Sequence, residues 1–204
     1  MEKINFIKTF IPEGQYRQKY EYGDMVVYHI NAEYNKEMNA YECYECTLSK
    51  ATFDETKVRA AFAQFSAKLD ALKLEEAKAD KIAEITDYDT SSSVNGFYLN
   101  DTLIPWSSDD GSTLNKDVRM GLRQNIKDKQ KLGEVNIDMW LDGMKITLPC
   151  EKADAFMCNL ENYAYECFNV TAAHKKAVEE MESVEEVEAF DVTADYPKQL
   201  EMKL

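Results

Sequence analysis

The sequence predicts an α+β fold: a small antiparallel β-sheet at the N-terminus, a long amphipathic helix, and a C-terminal domain of β-hairpins packed on several helices. Three observations predict it. β-Formers and tyrosines crowd the first fifty residues, a stretch free of Gly and Pro then carries apolar residues at helical spacing, and period-two alternation flanks an Asp-Gly pair in the second half. With 204 residues, 45% hydrophobic and 30% charged, the chain can bury a core, and disorder is not the default. The spacing of elements divides it into a β-rich arm over 1–50, a long helix over 51–86 and an α+β domain over 87–204.

In the first part, Met25-Val26-Val27-Tyr28-His29-Ile30 and Tyr41 to Leu48 flank a polar turn region, Asn31 to Asn39. That pattern reads as a hairpin or small sheet. Tyr16, Tyr20, Tyr22, Tyr28, Tyr34, Tyr41 and Tyr44 lie here, and such amphipathic rings suit either a half-wet sheet face or a protein interface.

Thr52-Phe53-Asp54-Glu55 has the spacing of a capping box, so a helix should follow. Val58, Phe62, Phe65, Leu69 and Leu72 recur at alternating spacings of four and three, the seam of a coiled coil, and Ala79 and Ala83 continue its phase beyond Glu76. These five residues are the candidates for self-association, with packing on a neighbouring domain as the competing use of the same face. The small polar side chains of Thr86 to Ser93 then predict a connector and a domain boundary.

Beyond it, Phe97-Tyr98-Leu99 and Leu103-Ile104 flank Asn100-Asp101-Thr102 as a short hairpin. A helix over 113–132 carries Leu114, Val118, Leu122 and Ile126 on one face and stops at Gly133. The strongest local pattern runs from Val135 to Leu148. If Asp142 and Gly143 make the turn, Leu141 faces Met144, Met139 faces Ile146 and Ile137 faces Leu148, which places the apolar set on one side of the ribbon. Trp140 then falls on the polar side beside Lys145 and is the best single candidate for a partner contact. After Pro149, Ala153, Phe156, Met157, Leu160, Ala164, Cys167 and Phe168 define a helix face; Thr171 can cap a further helix, Ser183 to Glu186 forms a second capping box, and the tail turns at Tyr196-Pro197.

Composition excludes several function classes. There are 24 Lys and Arg against 38 Asp and Glu, a net charge of −14, and no stretch gathers a basic face for phosphates, so direct nucleic-acid binding is not expected. No window approaches 18 apolar residues and Met1 to Phe10 has no continuous apolar core, so neither a membrane span nor a signal peptide is expected. Five cysteines, an odd number, read as free thiols made in a reducing cytoplasm.

Cys43 and Cys46 have zinc-knuckle spacing without a second pair, and their odd separation on a strand sends them to opposite faces. His29 and His174 belong to no catalytic signature. Asp109-Asp110-Gly111 lacks the alternating ligands of a calcium loop, and no phosphate loop or nucleophile elbow is present. The residues nominate no catalytic set, metal or cofactor.

One string in the second half carries a resemblance. Val94-Asn95-Gly96-Phe97-Tyr98-Leu99, Trp106, Asp117-Val118-Arg119, the Asp142-Gly143 hairpin, Leu160-Glu161-Asn162-Tyr163-Ala164, Val170 to His174, Val187 to Asp191 and Tyr196-Pro197 follow one another in order. Together they resemble an uncharacterised bacteriophage domain family associated with tail-fibre and particle-appendage genes, over about 90–200. The resemblance implies a virion-associated structural protein, made in the host cytoplasm, oligomeric, and partnered by other phage structural proteins or fibre subunits. An assembly chaperone for a fibre, absent from the mature particle, is the alternative. Neither carries catalytic residues, and Trp106, Arg119, Tyr163 and His174 are markers whose roles are structural.

Overall fold

The computed structural model describes residues 4–105, 116–141 and 143–203. The protein is α+β, and it divides into two compact units, Met1–Lys73 and Leu74–Leu204.

The first unit is a four-stranded antiparallel sheet in the order β1-β4-β3-β2, made of β1 (Ile7–Pro12), β2 (Lys19–Tyr22), β3 (Met25–Asn35) and β4 (Ala40–Ser49). A bulge between Ile30 and Glu33 interrupts the β3–β4 register, and Asn31 there takes a φ of 55°. Period-two alternation gives the sheet two faces. One face carries Tyr28, Cys46 and Leu48 against Phe53 and Val58, at the start of helix α1 (Glu55–Thr90), with Ile4 and Phe6 alongside. Phe6 and Tyr44 pack on the rings of Phe62 and Phe65, with centroids 5.2–5.5 Å apart.

Helix α1 starts two residues later than the capping-box reading. Thr52 turns back to Ser49, and Asp54 is the cap, its Oδ1 accepting the amides of Thr56 (3.0 Å) and Lys57 (3.2 Å). The helix also takes in Thr86 to Thr90 of the polar stretch expected to be a connector, and Ser91 to Ser93 turn beyond its end. Thr86 and Thr90 donate their hydroxyls to the carbonyls of Ile82 (2.8 Å) and Thr86 (3.1 Å), a local bond that lets threonine sit inside a helix. The two compact units meet at Lys73/Leu74, within the helix.

The second unit begins with the remainder of α1. Its inward residues are Leu74, Ala77, Ile82 and Ile85, which meet Val178, Val187 and Val192; Ala79 and Ala83, which would have continued the first seam, are exposed. The larger core joins β5 (Gly96–Leu99), β6 (Thr102–Pro105), α2 (Lys116–Lys131), β7 (Asn136–Leu141), β8 (Met144–Pro149) and α3 (Cys150–Glu180), with Phe97, Ile104, Ile126, Met139, Met157 and Leu160 at its centre. The β7–β8 register pairs Ile137 with Leu148, Met139 with Ile146 and Leu141 with Met144, as the alternation requires. Asp142 of its turn lies outside the described residues, as do Trp106 and Asp109 to Gly111; Gly143 has a φ of 74°.

Two further differences concern the C-terminal segment. Thr171 does not start a new helix, since α3 is continuous through it; the short α4 (Val184–Ala189) is the separate one, capped by Ser183, whose hydroxyl accepts the Glu186 amide (3.2 Å). The tail then adds a strand, β9 (Glu201–Met202), parallel to β5, giving a sheet ordered β6-β5-β9.

Candidate interaction surfaces

The second face of the N-terminal sheet is a layer of aromatic rings. Tyr16 stacks on Tyr41 with centroids 4.4 Å apart, Tyr34 leans on Tyr41 at 5.2 Å, and Tyr16 and Tyr20 flank the His29 ring at 5.9 and 5.8 Å. His29 lies beneath them, buried, with Nδ1 toward the Arg17 carbonyl and Nε2 3.1 Å from Glu45 Oε2. Both nitrogens face acceptors, so the ring is tied to the sheet beneath the layer whichever nitrogen donates. The Tyr34 hydroxyl donates to Asn39 Oδ1 (2.6 Å), with Glu13 Oε2 as a second acceptor at 3.2 Å, which fixes its ring. Tyr20 is 39% and Tyr34 40% exposed, so rigid, half-wet aromatic surface is presented to solvent.

The same face explains Cys43. It is buried there, whereas Cys46 is buried on the face toward α1, and the two thiols do not converge. Burial pushes Cys46 up to about 11, with the Glu45 carboxylate adding to it, and raises Cys43 for the same reasons. Among the described residues no group of three His, Cys, Asp or Glu side chains could hold a metal ion.

The five seam residues divide between two situations. Val58 and Phe62 are buried within the chain, Phe65 and Leu69 are half-buried, and Leu72 is 66% exposed. The neighbouring sheet takes up the first part of the seam through Phe6 and Tyr44. Beside it, an open groove of about 770 Å³ lies along Ile4, Leu48, Phe53, Lys57, Ala61 and Gln64.

In the second unit, Trp140 stands on the outer face of the β7–β8 ribbon, 66% exposed and opposite Lys145. Its surroundings are polar and fixed: Lys145 Nζ lies 2.8 Å from Asp138, whose other oxygen accepts the Thr147 hydroxyl at 2.7 Å. These two partners hold the Asp138 carboxyl below the usual carboxylate range.

Sequence reasoning missed the polar junction around Thr171. Its hydroxyl lies 2.7 Å from both Asp89 Oδ1 and the Tyr196 hydroxyl, which ties α3 to the end of α1 and to the tail. The Tyr196 ring also meets Tyr88 at 5.2 Å and the buried His174 at 5.5 Å. No local pattern announces such a junction, because its three members come from separate elements. Nearby, Asp89, Asn95, Arg119, Cys167 and Phe168 bound a depression of about 160 Å³. Arg119 donates to Glu161 at 2.7 Å, and burial raises the Cys167 thiol, away from the thiolate a nucleophile needs.

None of the described helices is long and apolar enough to cross a membrane. Compared with models of protein families, with curated proteins and with solved structures, the chain matches none.

Proposed function

We propose that the chain is a non-enzymatic bacteriophage structural protein, a virion component associated with fibres or other appendages of the tail or head, acting through protein–protein assembly. The observation that carries this reading is the tyrosine face of the N-terminal sheet. Aromatic rings held rigid by stacking and by the buried His29 supply contact area at little entropic cost, the property that enriches tyrosine at interfaces. The exposed Trp140 offers a second contact in the other unit. The ordered motifs over about 90–200 supply the bacteriophage context.

Charge divides along the same line. Met1–Lys73 holds 11 acidic against 10 basic residues and Leu74–Leu204 holds 27 against 14, so the net −14 resides almost wholly in the second unit. A near-neutral aromatic unit suits close packing. A strongly acidic one suits solubility and a basic protein partner.

Quantitative mass spectrometry of purified mature particles tests the reading. Recovery of this chain at a fixed copy number relative to known structural proteins is the expected result. Its recovery only from infected-cell lysate, bound to fibre subunits, would replace the virion component with an assembly chaperone.

A further inference from the structure

Among the described residues, β2 has a neighbouring strand on one side only. Antiparallel neighbours alternate between residues that exchange backbone hydrogen bonds with the adjacent strand and residues whose N–H and C=O point away from it. The His29 amide donates to the Gln18 carbonyl at 2.8 Å, and the register continues with Tyr20 opposite Val27 and Tyr22 opposite Met25. Gln18, Tyr20 and Tyr22 therefore bond inward. Lys19 and Glu21 direct their backbone groups outward, at the end of a sheet ordered β1-β4-β3-β2.

We propose that two copies of the chain join antiparallel through this edge about a twofold axis at Tyr20. In that register Lys19 of each copy exchanges both backbone hydrogen bonds with Glu21 of the other, giving four across the axis. The two residues that carry the outward groups bear opposite charges, so every bonded pair also faces Lys to Glu. Glu21 already lies 2.8 Å from Lys50, and the partner's Lys19 extends that contact into a ladder. On the other face the two Tyr20 rings meet beside the two His29 rings, which makes the tyrosine layers of both copies continuous.

The opposite edge lacks that charge complementarity. There the Glu13 amide donates to the Asn39 carbonyl at 3.3 Å, so the outward positions of β1 are Lys8, Phe10 and Pro12, and Pro12 has no N–H to give.

The proposal deepens the assembly reading, on which it rests, by naming one partner. Sedimentation of the full-length chain over a concentration series should show a monomer–dimer equilibrium. Lys19→Glu, with an unchanged circular dichroism spectrum, should weaken it about tenfold or more, and Lys19→Glu with Glu21→Lys should restore it.

A second variant reads the register directly. Tyr20 would face Tyr20 in a non-bonded pair with Cα atoms about 4.5 Å apart, within disulfide reach. Tyr20→Cys should therefore cross-link to a covalent dimer under mild oxidation, through the introduced thiols, while the parent chain does not. A monomer at every concentration, or a dimer indifferent to both variants, overturns the pairing. A monomeric chain still found at fixed copy number in particles overturns it and leaves the assembly reading standing.

Discussion

Tyr28 shows how much of the first unit depends on single side chains that join sheet to helix. Its ring is buried against Phe53, with centroids 5.8 Å apart, under the guanidinium of Arg59, while its hydroxyl donates to Glu55 at 3.0 Å. One residue of β3 thereby fixes the first turn of α1. Cys46, on the same face, behaves as a small hydrophobe whose ionisation is disfavoured. Its thiol is raised from the ordinary 9.0 to about 11, so below pH 9 folded and unfolded chains both hold the proton and its contribution to stability is full. Between pH 9 and about 11 the unfolded chain releases the proton and the folded one retains it, so stability falls as pH rises. Cys43, Cys167 and Tyr163 are raised in the same direction and add to the slope. The urea midpoint is expected to decline across this window, and Cys46→Ala should flatten the decline; a midpoint indifferent to pH would contradict the buried placement.

At the scale of elements, the start of α1 separates two readings of one tetrapeptide. Asp54 caps the helix and Thr52 does not, so Asp54→Ala should cost about 1 kcal/mol in chemical denaturation while Thr52→Ala costs a few tenths. The reverse order would restore the capping-box reading. The β7–β8 ribbon was fully legible in sequence because its alternation and its turn residues agree on a single register. By contrast, β9 was not, since its partner β5 lies about a hundred residues upstream and two residues carry no period. Thr86, Thr90 and Thr171 misled for a shared reason: a threonine hydroxyl marks a helix end only when nothing else claims it. Those of Thr86 and Thr90 are claimed by carbonyls four residues back, and that of Thr171 by Asp89 and Tyr196. Of the candidate surfaces, Trp140 could be read from alternation alone. The outward positions of β2 could not, because they depend on which pairs of β2 and β3 exchange hydrogen bonds.

For the whole molecule, each unit has its own core, one around Tyr28, Cys46, Leu48 and Val58 and the others in Leu74–Leu204. Leu160 is wholly buried in the largest of these, so Leu160→Ala should cost on the order of 2–5 kcal/mol there. Hydrogen exchange is expected to quicken at amides of β5, β7, β8 and α3 and to stay unchanged in β3 and β4, because well-separated sites add independently. Quickening of equal size in β3 and β4 would show that the chain opens as one cooperative body.

The placement of the last strand has a temporal consequence. The strands of the first unit are all made by Ser49, whereas β5 waits for Glu201 and Met202 before its second edge is covered. At ordinary rates of protein synthesis, the residues between those two points take on the order of ten seconds to make. For that interval a nascent chain carries a completed sheet, with its tyrosine face and open β2 edge, ahead of a second unit that is still unfinished. Chains growing side by side on one message can thus meet through the first unit before either has closed the second.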